Sequence, residues 1–146
     1  MEFIVKTFSE LTTSELYEIL ELRSEVFVVE QDCAYQDVDG RDQIALHIFG
    51  FKNNKIIVYT RLFKPGDYFK NASLGRVVVQ PNERKFGYGN ELMKASIQAI
   101  QDFFHVSNIT ISAQVYLKNF YKAHGFKKIG EEYLEDGIPH IEMRIG

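Results

Sequence analysis

The sequence predicts an α+β domain, in which a mixed and mostly antiparallel sheet is flanked by helices. Three observations carry that prediction. Residues 44–51 and 56–63 are apolar runs rich in β-branched and aromatic side chains. They are separated by Asn53-Asn54, a pair that tolerates the left-handed backbone of a tight hairpin, so the two strands are antiparallel. Val77, Val78 and Val79 form the centre of another strand, residues 109–114 form a second, and the chain between them has room for a helix, which makes a parallel crossover unit. That helix is legible by itself, because Leu92, Met93, Ile97 and Ile100 recur at helical spacing with Ala95 and Ala99 between them.

Taken in order, Phe3, Val5 and Thr7 alternate with Ile4 and Lys6 in a first strand over residues 3–8. Thr13 or Ser14 offers a hydroxyl to cap a helix whose apolar face is Leu16, Ile19 and Leu20, continued at Val26 and Phe27 and extended by Leu22 and Arg23. From Val26 to Val29 the helical pattern lapses. Glu30 then opens an acidic stretch, expected as a loop, in which Glu30, Asp32, Asp37, Asp39 and Asp42 face only Arg41. After the hairpin, Lys64-Pro65-Gly66-Asp67 is a turn, and residues 73–80 return as a strand that Pro81 ends by removing a ladder donor. The helix is expected from Gly89 to about His105, a strand over 108–115, a short helix over 117–124, and strands over 126–133 and 138–144, with Gly137 and Pro139 marking the last turn. No linker, repeat or low-complexity segment interrupts the chain, so residues 1–146 are read as one domain.

Composition excludes several classes. With 45% hydrophobic and 25% charged residues, the chain is neither disordered nor fibrous, and no apolar run approaches the length of a membrane span. A net charge of −3 without a basic face argues against nucleic acid as a partner, since phosphate binding draws on clustered Lys and Arg. Met1-Glu2-Phe3 does not open a signal peptide, and one cysteine makes no internal disulfide, so the cytoplasm is the expected compartment. That cysteine, Cys33, reads as a packed or indifferent thiol rather than a nucleophile.

The chemistry concentrates between the Val77–Val79 strand and the helix. Arg84, Lys85, Phe86, Gly87, Tyr88, Gly89 and Asn90 form a glycine turn on a helix N-terminus, where the first amides lack partners inside the helix and the macrodipole adds partial positive charge. A diphosphate fits such a place: the glycines let it approach the backbone, and Arg84 and Lys85 supply charge. A Walker loop is excluded because Asn90-Glu91 follows Gly89 where Lys-Ser/Thr is required. A dinucleotide fingerprint is excluded because Leu92 stands where a third glycine belongs. In the acidic stretch, Asp37-Val38-Asp39-Gly40-Arg41-Asp42 lacks the register and distal glutamate of a calcium loop, so no metal is expected.

Arg84-Lys85-Phe86-Gly87-Tyr88-Gly89 resembles the acetyl-CoA loop of the GNAT (Gcn5-related) N-acetyltransferases, of the form Arg/Gln-x-x-Gly-x-Gly/Ala. A second motif follows about thirty residues on. Asn119-Phe120-Tyr121-Lys122-Ala123-His124-Gly125-Phe126 is similar to that family's closing helix and Gly-Phe turn, with Tyr121 at the position that protonates the departing CoA thiolate. Four further stretches, 26–31, 37–40, 75–79 and 135–141, resemble the ElaA-like branch of the superfamily and extend the likeness over nearly the whole chain. The resemblance implies the GNAT acyl-CoA N-acyltransferase fold, in which the strands at Val77–Val79 and Ile109–Gln114 are parallel neighbours that splay to admit the pantetheine arm. It implies acetyl-CoA as co-substrate, with Val77, Val78 and Val79 joining residues 84–90 in holding it. Asn119, two residues before Tyr121, is read either as a hydrogen-bond partner of the pantetheine amides or as a helix cap.

The expected reaction is acetyl transfer to a primary amine by direct attack, with Tyr121 as general acid. A lysine-like amine, with a pKa near 10.4, is neutral in about one molecule in 2,500 at pH 7, a cost of roughly 4.6 kcal/mol, whereas a CoA thiol near 8.5 leaves tolerably well. A base therefore matters more than an acid. Four residues are candidates for it: Glu30, His47, His140 and Glu142, with Glu30 and His47 ranked first. The acceptor is expected to be a small-molecule or peptide amine, cationic and drawn by the acidic segments 30–42 and 131–136; a homodimer is admitted. The alternative expectation is a sensor or interaction subunit that binds acyl-CoA without turning it over.

Overall fold

A computed structural model describes residues 1–146. Seven strands, β1 (Phe3–Thr7), β2 (Leu46–Lys52), β3 (Lys55–Phe63), β4 (Ser73–Val79), β5 (Ile109–Gln114), β6 (Lys127–Glu135) and β7 (Ile138–Ile145), form two antiparallel half-sheets ordered β1-β2-β3-β4 and β5-β7-β6. The helices are α1 (Thr13–Arg23), α2 (Tyr88–Phe104) and the short α3 (Lys118–Lys122). A single parallel bridge, Ala72 to Ile109, joins the half-sheets, and Thr110 N–H donates to the Ala72 carbonyl at 2.9 Å. That bridge lies at the start of both β4 and β5, so the two strands separate toward their C-terminal ends. The mixed fold and its splayed parallel pair agree with the sequence expectation.

The central strands are buried on both faces, as interior strands covered by helices must be. Leu46, Ile48, Val58 and Leu62 meet Leu92, Met93 and Ile100 of α2 in the larger core, which continues into the second half-sheet through Ile111, Ile141 and Met143. On the opposite face Phe49, Tyr59 and Val78 meet Ile19 and Leu22 of α1. The Asn53-Asn54 hairpin forms with both residues at positive φ, 52° and 62°.

Three expectations are corrected. The N-cap of α1 is Thr12, whose hydroxyl accepts from Glu15 N–H while Glu15 reaches back to the Thr12 amide. Helical structure does not lapse at Val26 but continues as a wide π turn over Ser24–Glu30, which buries Val26 and Phe27 and leaves Val29 exposed; the wider pitch is why the 3.6-residue pattern disappears there. Pro139 is not in the turn: it lies in β7 opposite Leu134, beyond the end of β5, where no partner strand needs its missing N–H.

The acidic stretch is the largest surprise. Asp37 and Asp42 are buried, and these two together with the exposed Asp39 are paired with Arg23, Arg61 and Arg76 rather than left free as a lure for cations. Arg23, wholly buried, donates from Nε to Asp37 (2.8 Å) and from Nη1 to Asp42 (2.8 Å). Arg61, 1% exposed, forks onto Asp39 at 2.8 and 2.6 Å and shares Asp42 at 3.0 Å. Arg76 places Nε 2.7 Å from Asp37. Each arginine comes from a different element, α1, β3 or β4, so the loop is tied to all three by charge rather than by a ladder. Burial works to raise the Asp39 and Asp42 pKa values, but the arginine hydrogen bonds and charges outweigh it and hold both below the usual range.

Asp42→Ala leaves Arg23 and Arg61 short of a shared buried partner and is expected to cost about 3–5 kcal/mol in urea unfolding. Glu142→Ala, which removes only the half-buried partner of the exposed Arg144, should cost less than ~1 kcal/mol. Stability should also fall in two stages as pH drops. His47 has a folded pKa below its ordinary 6.5, because burial outweighs its bond to the Asp42 carbonyl. Its contribution is present above that value and declines as pH falls through it. The depressed Asp39 and Asp42 contribute above their ordinary 3.8 and lose that contribution as pH falls through their folded values. Unfolding midpoints measured from pH 8 down to pH 1 check both stages, the second falling below pH 4, and in Asp42→Asn the second should be shallower.

Candidate active site

Where β4 and β5 part, a cleft opens between the half-sheets, walled by Gly75, Arg76 and Val77 on one side and Ile111, Ser112 and Gln114 on the other. The chain after the π turn crosses over it. Gln31 and Gln114 exchange amide hydrogen bonds at 3.1 and 3.3 Å, and Cys33 Sγ donates to the Asp136 carbonyl at 3.4 Å. Cys33 thus packs across the cleft as a half-buried free thiol.

Backbone irregularity shapes the β4 wall. Tyr59 pairs with Val78 but Arg61 pairs with Gly75, so Thr60 faces an extra residue in β4 and its hydroxyl donates to the Gly75 carbonyl at 2.7 Å. Arg76 sits in this bulge at φ 54°, a left-handed conformation costly for a residue with a Cβ. Its guanidinium is held by Asp37 and by the Asp37 carbonyl at 3.0 Å, so the buried ionic network secures the strained residue that turns β4 away from β5.

The glycine turn stands at the far end of β4. Gln80 and Pro81 start a 3-10 turn over Pro81–Phe86, Gly87 takes φ 77°, and α2 begins at Tyr88. Of the first amides of α2, those of Tyr88 and Gly89 have no carbonyl partner, whereas Asn90 N–H already donates to the Gly87 carbonyl at 3.2 Å. At Gly89 a Cβ would meet Phe120 at 3.6 Å and Val79 at 3.7 Å, so the loop touches both the end of β4 and α3. His124 Nε2 and Asn90 Oδ1 add a hydrogen bond at 2.9 Å, tying α3 to the start of α2. Val77 lines the cleft, whereas Val78 points into the smaller core, leaving only its backbone toward a ligand. Lys85 and Phe86 are exposed beside each other, with the Lys85 ammonium 5.3 Å from the ring centre. Asn119 is exposed on α3.

Tyr121 follows Phe120 on α3. Its ring packs edge-on against Phe120 and Phe126 at 5.2 and 5.9 Å, and it lines the cleft at 6% exposure. Burial, with a lesser contribution from Tyr116, raises its pKa well above the ordinary 10, so the phenol keeps its proton near neutral pH. A buried phenol keeps its proton in the cleft and so has one to donate, while the raised pKa makes it a weaker acid towards a thiolate than an ordinary tyrosine.

The structure separates the base candidates. His47 is wholly buried on the α1 side of the first half-sheet, with Nε2 2.9 Å from the Asp42 carbonyl and Nδ1 2.7 Å from the Tyr59 hydroxyl. Since the carbonyl only accepts, Nε2 carries the proton and Nδ1 accepts from Tyr59, which leaves no ring nitrogen for a substrate. Glu30 is bound to Arg84 of the glycine turn at 2.5 and 2.9 Å and is not a cleft residue. Glu142 pairs with Arg144. His140 alone of the four lines the cleft, and Glu135, which base selection by residue type passed over, lies beside it, Oε2 to Nε2 3.3 Å. The missed signal was register: Gln114, His140 and Tyr133 are opposite one another on three adjacent strands, which puts Ser112, Glu135 and His140 on one face.

The GNAT acetyltransferase domain model matches residues 9–146. Among relatives, a UPF0039 protein of Schizosaccharomyces pombe is 44% identical over 99% of this chain and 97% of its own length, and protein ElaA of Escherichia coli is 42% identical over 92% and 90%. Among solved structures, an acyl-CoA N-acyltransferase from Pseudomonas aeruginosa superposes with a TM-score of 0.93 at 38% identity, covering 100% of both chains. Escherichia coli ElaA superposes with 0.92 at 39%, covering 99% of both.

The strain at Arg76 has a measurable signature. Both Arg76→Ala and Arg76→Gly lose the ion pair to Asp37, but only glycine relieves the positive φ, so the glycine variant should be the more stable of the two by about 1 kcal/mol in urea unfolding. Equal stabilities would show that the bulge carries no strain.

Proposed function

Because the chain belongs to the GNAT acetyltransferase family, we propose that it moves the acetyl group of acetyl-CoA to a primary amine, on a small molecule or a peptide, by direct attack on the thioester. The observation that carries this reading is the cleft between β4 and β5, with the protonated phenol of Tyr121 on its wall and the glycine turn at its β4 end. The diphosphate would sit on the amides at the start of α2, beside Arg84 and Lys85, and the pantetheine arm would run along Val77–Val79 into the splay.

In this reading the amine lone pair attacks the carbonyl carbon, the C–S bond breaks, and the sulfur takes its proton from Tyr121. Arg84 reaches the phosphates by exchanging its partner, since Glu30 now holds its guanidinium. The pair is half-exposed, so this exchange costs little. Two contributions are thereby divided between distant parts of the chain: binding on the loop and proton delivery on α3.

Gly89 offers the cleaner test of the loop. Its φ is not left-handed and an added Cβ would make only ordinary contacts, so Gly89→Glu should fold. The carboxylate would take the phosphate position, and acetyl-CoA affinity measured by calorimetry is expected to fall at least tenfold; unchanged affinity in the folded variant removes the loop from the binding site. Tyr121→Phe is expected to lower kcat by about ten- to a thousandfold while largely sparing acetyl-CoA affinity, because the ring still packs. Undiminished kcat with chemistry rate-limiting removes Tyr121 from proton transfer.

A further inference from the structure

We propose that His140 and Glu135 form the acceptor's proton-accepting site, and that the acceptor enters as a primary alkylammonium ion whose proton passes to His140 Nε2. The proposal deepens the acetyltransferase reading and rests on it. His140 is 6% exposed, and its Nδ1 lies 2.7 Å from the Ile138 carbonyl oxygen. A carbonyl only accepts, so Nδ1 carries the proton and Nε2 is the nitrogen with a free lone pair. Nε2 in turn faces Glu135 Oε2 at 3.3 Å. A neutral imidazole nitrogen and an ionised carboxylate both offer lone pairs, and the pair is completed only by a proton or a donor placed between them. An alkylammonium supplies both.

The surroundings hold this pair in place. Tyr133 stacks on the His140 ring, its centroid 6.2 Å away and its plane within 24°, and it hydrogen-bonds Ser112. Ser112 Oγ also donates to the other Glu135 oxygen, Oε1, at 3.3 Å, which orients the carboxylate and leaves Oε2 for the imidazole. Of the charged groups facing the cleft, Arg61 and Arg76 are neutralised by Asp37, Asp39 and Asp42. Glu135 and Asp136 remain, and neither is paired with an arginine or lysine, so the cleft's uncompensated charge is negative and selects a cation. The acidic segment 131–136 retains its expected role only at these two residues, since Glu131 and Glu132 are exposed and outside the cleft.

The protons balance as follows. The ammonium gives one proton to His140 Nε2, and the imidazolium is stabilised by Glu135. The neutral amine attacks the thioester carbonyl, a C–N bond forms, and the C–S bond breaks with its electron pair on sulfur. Sulfur takes the Tyr121 proton, the nitrogen sheds a second proton that restores the phenol, and the His140 proton leaves to solvent. One ammonium and one thioester become one amide, one thiol and one released proton.

The test uses two amines of nearly equal size, ethylamine and trifluoroethylamine. The first is almost fully protonated near pH 7.5, with a pKa about that of lysine, and the fluorinated amine is neutral there. Thiol release from acetyl-CoA is measured for the wild type, His140→Gln and Glu135→Gln. In His140→Gln, kcat/KM for ethylamine should fall by roughly a hundredfold or more, and for trifluoroethylamine by less than about threefold. Equal losses for both amines overturn the proposal, because a merely structural role does not distinguish them. If His140→Gln fails to fold, Glu135→Gln decides by the same criterion. If the wild type releases no thiol with either amine while binding acetyl-CoA, the transferase reading fails and takes this proposal with it. A selective loss confined to ethylamine, with acetyl-CoA affinity retained, supports both.

Discussion

Three arginines and three aspartates form one ionic network, buried at Arg23, Arg61, Asp37 and Asp42 and reaching the surface at Arg76 and Asp39, and the first wall of the cleft stands on it. Arg23, Arg61 and Arg76 come from α1, β3 and β4, while Asp37, Asp39 and Asp42 come from a segment with almost no regular structure. Charges taken out of water must be paired with good geometry or the protein does not tolerate them, and this set is paired nearly throughout. The consequence is local order without a ladder. The segment that spans the cleft is held in one conformation, and Arg76 is kept in a left-handed bulge that no neighbouring backbone would enforce. His47 and Tyr59 extend the same polar layer, since His47 Nε2–H donates to the Asp42 carbonyl and Nδ1 accepts from the Tyr59 hydroxyl.

The cleft itself follows from topology. A crossover through α2 brings β5 alongside β4 in parallel, but only the Ala72–Ile109 bridge closes, and the bulge at Arg76 bends β4 away just beyond it. The two half-sheets then diverge while α2 still packs beneath both. The open backbone edges that result would be a liability on an outer strand, yet here they lie in a protected gap suited to an extended polar ligand arm. Tyr121 reaches this gap because α3 is held at its middle by Phe120 against Gly89, and the turn just after it by His124 against Asn90.

Carboxylates in this chain have two different fates, and proximity to arginine separates them. Asp37, Asp39 and Asp42 of the loop after the π turn are consumed in the fold, Glu30 is taken by Arg84, and Asp32 stays exposed without an ion pair. Those at the end of β6 meet no strong cation and point at the cleft mouth, where Glu135 finds only His140 and Ser112. Net charge cannot express this difference, because both groups contribute equally to it.

The sequence by itself determined the order and type of nearly every element, the asparagine hairpin, the crossover through α2, and the glycine turn with Tyr121 downstream. All of these rest on information local to a few residues: alternation, helical period, turn chemistry and motif spacing. The π turn escaped because its pitch erases the period by which helices are read, and Thr12 was passed over because two later hydroxyls offered the same cap. Only the tertiary structure decided which charges are free. Asp37 and Glu135 are alike as letters in acidic segments, but one lies beside Arg23 and Arg76 and the other beside His140. Those contacts join residues up to 39 positions apart through the register of strands and the packing of α1. The two histidines follow the same rule: His47 and His140 both sit in strands, and what separates them is whether the second ring nitrogen meets Tyr59 in the core or Glu135 in the cleft. Pairing across the chain is a property of the folded geometry, and no local pattern encodes it.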